Sequence, residues 1–247
     1  MLDSLQSPLD FAACFIIASA FFAISWLALA LTREPPDVEK ILQDEKSDFL
    51  KDSKTILRKD ANFRWFLSTR MLFQFATMGF SFYIVYALRR FDLDPVTAGF
   101  LTATLTISQT ISNVVMGWLG DKFGHRLMLI TGAIAALLSS LLAWAAPSIN
   151  WFYPAFALAG LTYVAIWTIG MTMTVDFGTE SDRPIYIGLS QTLTAPATIL
   201  APLLGGWIAD TVGFIPTFSI SSMLSVVVLF LLIVFVKNPG KNVPIQV

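Results

Sequence analysis

Seven stretches of this chain, 11–31, 65–88, 97–119, 127–146, 151–175, 184–209 and 214–236, run for twenty residues or more with almost no charge. A bilayer core near 30 Å is crossed by roughly 20 helical residues rising about 1.5 Å each. The alternative, a lipid-facing barrel, needs strands of about ten residues with alternating polarity. Runs such as Leu127–Ala146 do not alternate. The chain is therefore read as an all-α integral membrane protein with seven transmembrane helices, for which the lipid bilayer is the first partner.

Charge placement agrees. Of 33 Asp, Glu, Lys and Arg residues, 16 fall in 33–64, leaving the spans nearly bare. Only 13% of the chain is charged, about half the share of a soluble domain, and no basic face is available for nucleic acid. Cys14 is the lone cysteine, so an intrachain disulfide or a thiolate metal site is excluded. One histidine and no His-Glu-x-x-His spacing leave no zinc site and no catalytic constellation. The chain is read as non-enzymatic, without metal or cofactor. Asp3 and Asp10 stand where a signal peptide would carry basic residues.

Basic residues also give orientation. Eight lie in the 32–64 loop, Lys122 and Arg126 in the next turn on that side, Arg183 in the following one, and Lys237 and Lys241 in the tail. The opposite side holds Arg89 and Arg90. The expectation is an outer N-terminus, a cytoplasmic C-terminus and a place in the cell membrane. Trp65, Trp118, Trp144, Trp151 and Trp207 fall at span ends, where amphipathic rings suit the headgroups, whereas Trp167 falls two-thirds along its span. Val38, Ile41, Leu42, Phe49, Ile56 and Leu57 recur at helical spacing, predicting amphipathic helix on the cytoplasmic surface within the charged loop.

Gly117-Trp118-Leu119-Gly120-Asp121-Lys122-Phe123-Gly124-His125-Arg126 resembles the signature turn of the major facilitator superfamily, G-x-L-A-D-R/K-x-G-R/K-R/K. Gly117, Leu119, Asp121, Lys122, Gly124 and Arg126 match; Gly120 replaces alanine and His125 a basic residue. The turn has a physical reading. Gly117 and Gly120 allow close backbone approach; Gly124 allows a left-handed turn; Asp121 meets a helix N-terminus or an arginine; Lys122 and Arg126 hold the anionic leaflet.

The resemblance also implies a register. Residues 1–31 stand where the family has its sixth helix, 32–64 where it has its central linker, 65–236 where it has its second six-helix half, a 3+3 inverted repeat, and 237–247 as a tail. Arg33-Glu34-Pro35-Pro36, Glu180-Ser181-Asp182-Arg183-Pro184 and Gly205-Gly206 are similar to family landmarks at those places. The first five helices have no counterpart. The resemblance implies transport of a small-molecule substrate by alternating access as a truncated or half-size member that needs the other half, whether the chain is a fragment of a split or frameshifted gene, a half that assembles with a separate N-terminal half, or one of two copies. A seven-helix receptor or sensor, or a non-transporting fragment, is the alternative.

Amides at bilayer depth are costly and face protein or water. Gln74, Gln109, Asn113 and Gln191 are such groups, and Gln109–Asn113 and Tyr163–Trp167 each share a helix face at a spacing of four. These six residues are candidate cavity lining; the same pattern also suits amides that link helices and aromatics that fill space. Arg70, six residues into its span, is expected either to snorkel to the interface or to pair with Asp121 or another acidic gate residue, and Arg183 is a second gate or ion-pair candidate. No span holds Asp or Glu, so a titrating group for proton coupling is expected from the opposing half.

Overall fold

The structure, a computed structural model, describes residues 9–32, 49–179 and 182–239. Val38, Ile41, Leu42, Glu180, Ser181 and Lys241 lie outside the described residues. The chain divides into two compact units, Met1–Ser47 and Asp48–Val247. In the first, α1 (Leu9–Ala30) is a single apolar helix of 22 residues.

The second unit is built from α2 (Phe49–Lys59), α3 (Ala61–Phe91), α4 (Pro95–Phe123), α5 (His125–Ala145), α6 (Ile149–Val175), α7 (Arg183–Thr211) and α8 (Phe214–Val234). Five of these helices, α3, α5, α6, α7 and α8, are long and apolar enough to cross a membrane by composition alone. The 29-residue α4 is long enough but carries Thr102, Thr104, Thr106, Gln109, Thr110 and Asn113 along its interior. The seven spans read from the sequence thus correspond to seven helices, one of them conspicuously polar. The expected surface helix in the charged loop is present as α2, but Ile56 and Leu57 pack on the helical core.

Helix boundaries follow from local chemistry. Asp60 ends α2 and caps α3, accepting from the Phe63 N–H at 2.8 Å. Asp94 caps α4 and receives both the N–H and the hydroxyl of Thr97; the Thr97 hydroxyl leads in holding this carboxyl below its ordinary range. Gly124 breaks α4 from α5 with φ +96°, and a Cβ there would stand 2.7 Å from Asn238 Nδ2. Both backbone angle and space therefore demand glycine.

The packing is crossed between the two sets of three helices. α3 packs against α7 and α8, α6 packs against α4 and α5, and α5 packs against α8. Exchanging α3–α4–α5 with α6–α7–α8 maps these contacts onto themselves, as an inverted repeat requires. Helix lengths obey the same exchange: α4 and α7 have 29 residues each, α5 and α8 have 21.

Lipid supplies no hydrogen-bond partners, so each irregularity must be satisfied within the protein, by its own helix or by a neighbour. The interior of α3 tightens to a 3₁₀ turn at Met78–Phe82, where the Gly79 N–H donates to Ser221 Oγ at 3.1 Å from α8. Gly205 of α7 leaves room for this turn, since a Cβ there would stand 3.1 Å from the Met78 carbonyl oxygen. In α6 the ladder widens to a π turn at Ala165–Ile169, the Gly170 N–H reaching the Ala165 carbonyl five residues back. Close crossings hold α6 on both sides. A Cβ at Gly132 would stand 2.1 Å from Ala165 Cβ, and one at Gly160 would stand 2.7 Å from the Leu105 carbonyl oxygen.

At the end of the bundle opposite Asp121, the fully buried Tyr83 contacts the rings of Phe80, Phe152, Phe156 and Phe218. Its hydroxyl meets Ser139 Oγ at 3.1 Å, and Ser139 donates to the Ala155 carbonyl at 2.8 Å. One phenol thereby joins α3, α5 and α6.

The crossing geometry makes a direct prediction. Gly132→Ala forces α5 and α6 apart and should cost about 1–3 kcal/mol through overpacking. Gly117→Ala should leave stability unchanged or slightly higher, because nothing lies within 4 Å of a Cβ there. Thermal melts of the two variants in detergent check this; equal behaviour would remove the crossing as a determinant of the fold.

Candidate functional site

Two cavities lie along α4 and α6 and share Tyr163. One, about 310 Å³, is lined by Gln109 and Asn113 of α4 and by Tyr163, Val164, Trp167 and Thr168 of α6. The other, about 200 Å³, lies toward the Tyr83 end and is lined by Phe80, Ser81 and Tyr83 of α3, Thr102 and Leu105 of α4, and Phe156 and Ala159 of α6. The structure therefore brings together four of the six residues proposed from sequence, Gln109, Asn113, Tyr163 and Trp167.

Local structure explains their placement. Gln109 and Asn113 sit one turn apart, with Asn113 Nδ2 donating to the Gln109 backbone carbonyl at 3.0 Å. Asn113 Oδ1 accepts from the Thr168 hydroxyl at 2.9 Å, across 55 residues of sequence. Trp167 and Thr168 both belong to the π turn of α6, and the wider turn re-aims side chains relative to a regular helix. Trp167 is 48% exposed, and the ring of Tyr163 stands edge-on to Phe80 at 5.9 Å.

Thr102 and Thr106, before the amides along α4, and Thr110, between them, are exposed, each hydroxyl bonded to the carbonyl four residues back. Among the described residues, the Gln109 amide, the Tyr163 hydroxyl and the Trp167 indole N–H have no hydrogen-bond partner.

Gln74 and Gln191 lie elsewhere. Gln74 is buried in α3, while Gln191 is exposed on α7 with its amide 3.6 Å from Met171 Sδ. Neither lines the Tyr163 cavities.

Arg70 departs from both sequence expectations. It neither snorkels nor meets Asp121. It is 6% exposed and donates through one terminal nitrogen to Thr174 Oγ1 at 3.2 Å and Ser190 Oγ at 2.5 Å. The guanidinium stands 5.7 Å over the Phe66 ring, and its Nε is buried without a partner. Gly170, just past the π turn, makes room for it: a Cβ there would stand 3.2 Å from Arg70 Nε. No carboxylate among the described residues lies within ion-pair distance of Arg70. The cation thus joins α3, α6 and α7 through hydroxyls alone. Arg183 begins α7 and is exposed.

The signature turn forms a second polar site. Gly120 and Gly124 are both needed for space: a Cβ at Gly120 would stand 2.9 Å from the His125 ring. The close approach expected at Gly117 does not occur within the described residues, since that position is open. His125 Nδ1 meets Asp176 Oδ2 at 2.6 Å, and its Nε2 lies 3.6 Å from Asp121 Oδ1. Asp121 is otherwise turned outward: it meets the start of α5 through the His125 side chain, and no arginine among the described residues lies within ion-pair distance of it.

The basic residues of the turn also find other partners. Arg126 is engaged by the neighbouring helix. Its Nε and Nη2 donate to the Leu232 and Ile233 carbonyls at 3.0 and 2.6 Å, capping the C-terminal end of α8, where cationic donors are favoured. Lys122 lies over the rings of Trp118 and Phe123. Asn238 accepts from the Arg126 N–H, and Asn62 exchanges two hydrogen bonds with the backbone of Lys237. A cavity of about 360 Å³ opens beside Asp121, Lys122, His125 and Asp176. Its mixed charges bear on the turn rather than on the Tyr163 cavities.

Sequence reasoning missed Thr168, Thr174, Ser190 and the His125–Asp176 pair. The threonine spacing at 102, 106 and 110 was a readable signal for the polar face of α4. The others are partners 51 to 120 residues away in sequence and carry no local mark.

Residues 71–246 match the Major Facilitator Superfamily, and the chain belongs to that family of multi-pass membrane transporters. It is 32% identical over 124 residues to an uncharacterized transporter of Buchnera aphidicola subsp. Baizongia pistaciae, covering 50% of this chain and 31% of the relative. It is 21% identical over 155 residues to multidrug resistance protein 1 of Bacillus subtilis, covering 63% and 40%. It is 30% identical over 134 residues to human solute carrier family 67 member A1, covering 53% and 31%. The matched segment thus spans less than half the length of these relatives.

The Arg70 site predicts an asymmetry. Ser190→Ala strips an acceptor from a buried cation and should destabilise the protein by about 2 kcal/mol. Arg70→Met removes the charge itself and should cost less or nothing, because Thr174 Oγ1 retains the Gly170 carbonyl at 2.8 Å. Comparing melting temperatures of the two variants tests the claim; a larger loss for Arg70→Met would mean that the guanidinium is net stabilising.

Proposed function

We propose that this chain moves a small solute across the membrane by alternating access, with the α4–α6 face forming one wall of the solute path. The observation that carries this reading is the Gln109 amide. Half-buried on the exposed side of α4, it opens into the cavity and has no hydrogen-bond partner among the described residues. An amide turned to hydrocarbon would forfeit its hydrogen bonds at a cost of several kcal/mol. The threonines of α4 satisfy themselves on their own helix, but Gln109 does not. Water and an opposing protein wall resolve that cost, and such a wall is what rocking-bundle transport requires.

The wall belongs to a second helical bundle, whether from a longer chain, a separately made half or a second copy. Names of relatives such as multidrug resistance protein 1 and 2 of Bacillus subtilis are in keeping with a small-molecule cargo. The excess of Lys and Arg at the Asp121 end supports a cytoplasmic placement for that end and the C-terminus, with the N-terminus outside and the cell membrane as location. Asp121, exposed and paired only loosely with His125, is free to engage the opposing bundle, while Arg126 holds the turn to α8. In this reading Gly117, Gly120, Asp121, Lys122, Gly124 and Arg126 set conformation, and Arg70 braces three helices of the wall.

Water access tests the proposal in native membranes. In a Cys14→Ser background, Gln109→Cys and Asn113→Cys should react with a membrane-impermeant methanethiosulfonate. Leu138→Cys on α5 and Val226→Cys on α8, both exposed positions, should resist it and react only with a lipid-soluble maleimide. Reaction of all four with the lipid-soluble reagent alone would place Gln109 against lipid and end this reading.

A further inference from the structure

Among the described residues, no Asp, Glu, Lys, Arg or His lines either of the Tyr163 cavities. The charged side chain in the interior of this region, Arg70, is turned to Thr174 and Ser190 and lines neither cavity. Thr174 lies six residues beyond Thr168, about 9 Å along the helix axis. On this wall a charged ligand would shed water without meeting a counter-charge, and desolvating an unpaired ion is far costlier than desolvating a neutral group.

The polar groups that are present ask for a different ligand. The Tyr163 hydroxyl and the Trp167 indole N–H donate, and the Gln109 amide both donates and accepts. None is used by the protein among the described residues. Asn113, by contrast, is engaged at both ends of its amide, with Thr168 and with the Gln109 carbonyl. The half-exposed Trp167 ring and the Tyr163 ring supply flat apolar faces. The 310 Å³ cavity is at the small end of the range for ligand sites, so it holds one or two fused rings.

We propose that the Gln109–Tyr163–Trp167 cavity binds a small, uncharged aromatic or heteroaromatic solute bearing hydrogen-bond acceptors, and selects against ions of either sign. This deepens the functional reading above and rests on its claim that the cavity opens to water. The ring stacks on Trp167, carbonyl-type acceptors take the Tyr163 and Trp167 protons, and Gln109 reads the remaining edge. Cation–π attraction to Trp167 and Tyr163 is the competing chemistry, and it would favour a cationic solute instead.

Binding can be measured with the full chain in lipid nanodiscs, against empty nanodiscs, by equilibrium dialysis. The probes are coumarin and its trimethylammonium- and sulfonate-substituted derivatives, which share one ring and differ in charge. Coumarin should bind at least tenfold tighter than either ion, and Trp167→Leu and Gln109→Leu should each weaken it about five- to tenfold. Equal or tighter binding of the cation or the anion overturns the selectivity. Coumarin binding that survives both substitutions, or is absent at millimolar concentration, overturns the site. These failures are separable from failure of the transport reading, which the cysteine-labelling pattern at Gln109 and Asn113 decides without any solute.

Discussion

The close crossing of α5 and α6 at Gly132 governs much of what the rest of this bundle can do. Ala165 sits against Gly132 with no room for a further methyl, and the π turn of α6 begins at that same residue. A regular α-helix continuing from Ala165 would carry Trp167 and Thr168 around the axis at the usual 3.6-residue pitch. The widened turn shifts that register, setting Trp167 beside Gln109 and Thr168 against Asn113. Past the turn, Gly170 opens the space that Arg70 fills. One tight contact and one extra residue per turn therefore place both the uncharged cavity and the buried cation.

The two interrupted helices, α3 and α6, occupy equivalent places in the crossed packing. Each begins one set of three helices and packs on the last two of the other set. Their interruptions differ in sense, a tightened turn in α3 and a widened one in α6, and they are stabilised differently. The tightened turn borrows Ser221 from α8, whereas the widened turn keeps its bonds within its own backbone. Where lipid offers no partner, such breaks survive only because neighbouring helices come close through Gly205 and Gly132.

Charge is handled with the same economy. Arg70 is buried on hydroxyls, Arg126 caps the carbonyl end of α8, and His125 ties the start of α5 to the end of α6 through Asp176. Belonging to the Major Facilitator Superfamily accounts for the presence of the Gly117–Arg126 turn. In this chain the turn is tied through His125 to Asp176 and through Arg126 to Asn238 and the end of α8. The substitution of His125 for a basic residue is read from the sequence as a departure from pattern, and only the fold supplies Asp176 as its partner.

What the sequence by itself determined was set by solvent and by local geometry. Long uncharged runs have to be helices in lipid, Gly124 sits where a positive φ is needed, and the amides at 109 and 113 with Trp167 are residue types that stand out from the apolar spans and line one cavity. These are properties of length, spacing and residue type, legible within one or two turns. The tertiary structure alone decided that Arg70 reaches Ser190, that Asn113 meets Thr168, that Gln74 and Gln191 stay apart from the Tyr163 cavities, and that Gly117 is open. Each depends on which helix lies alongside and at what rotation. That is fixed by small-residue crossings and helix irregularities whose effects fall tens of residues away along the chain.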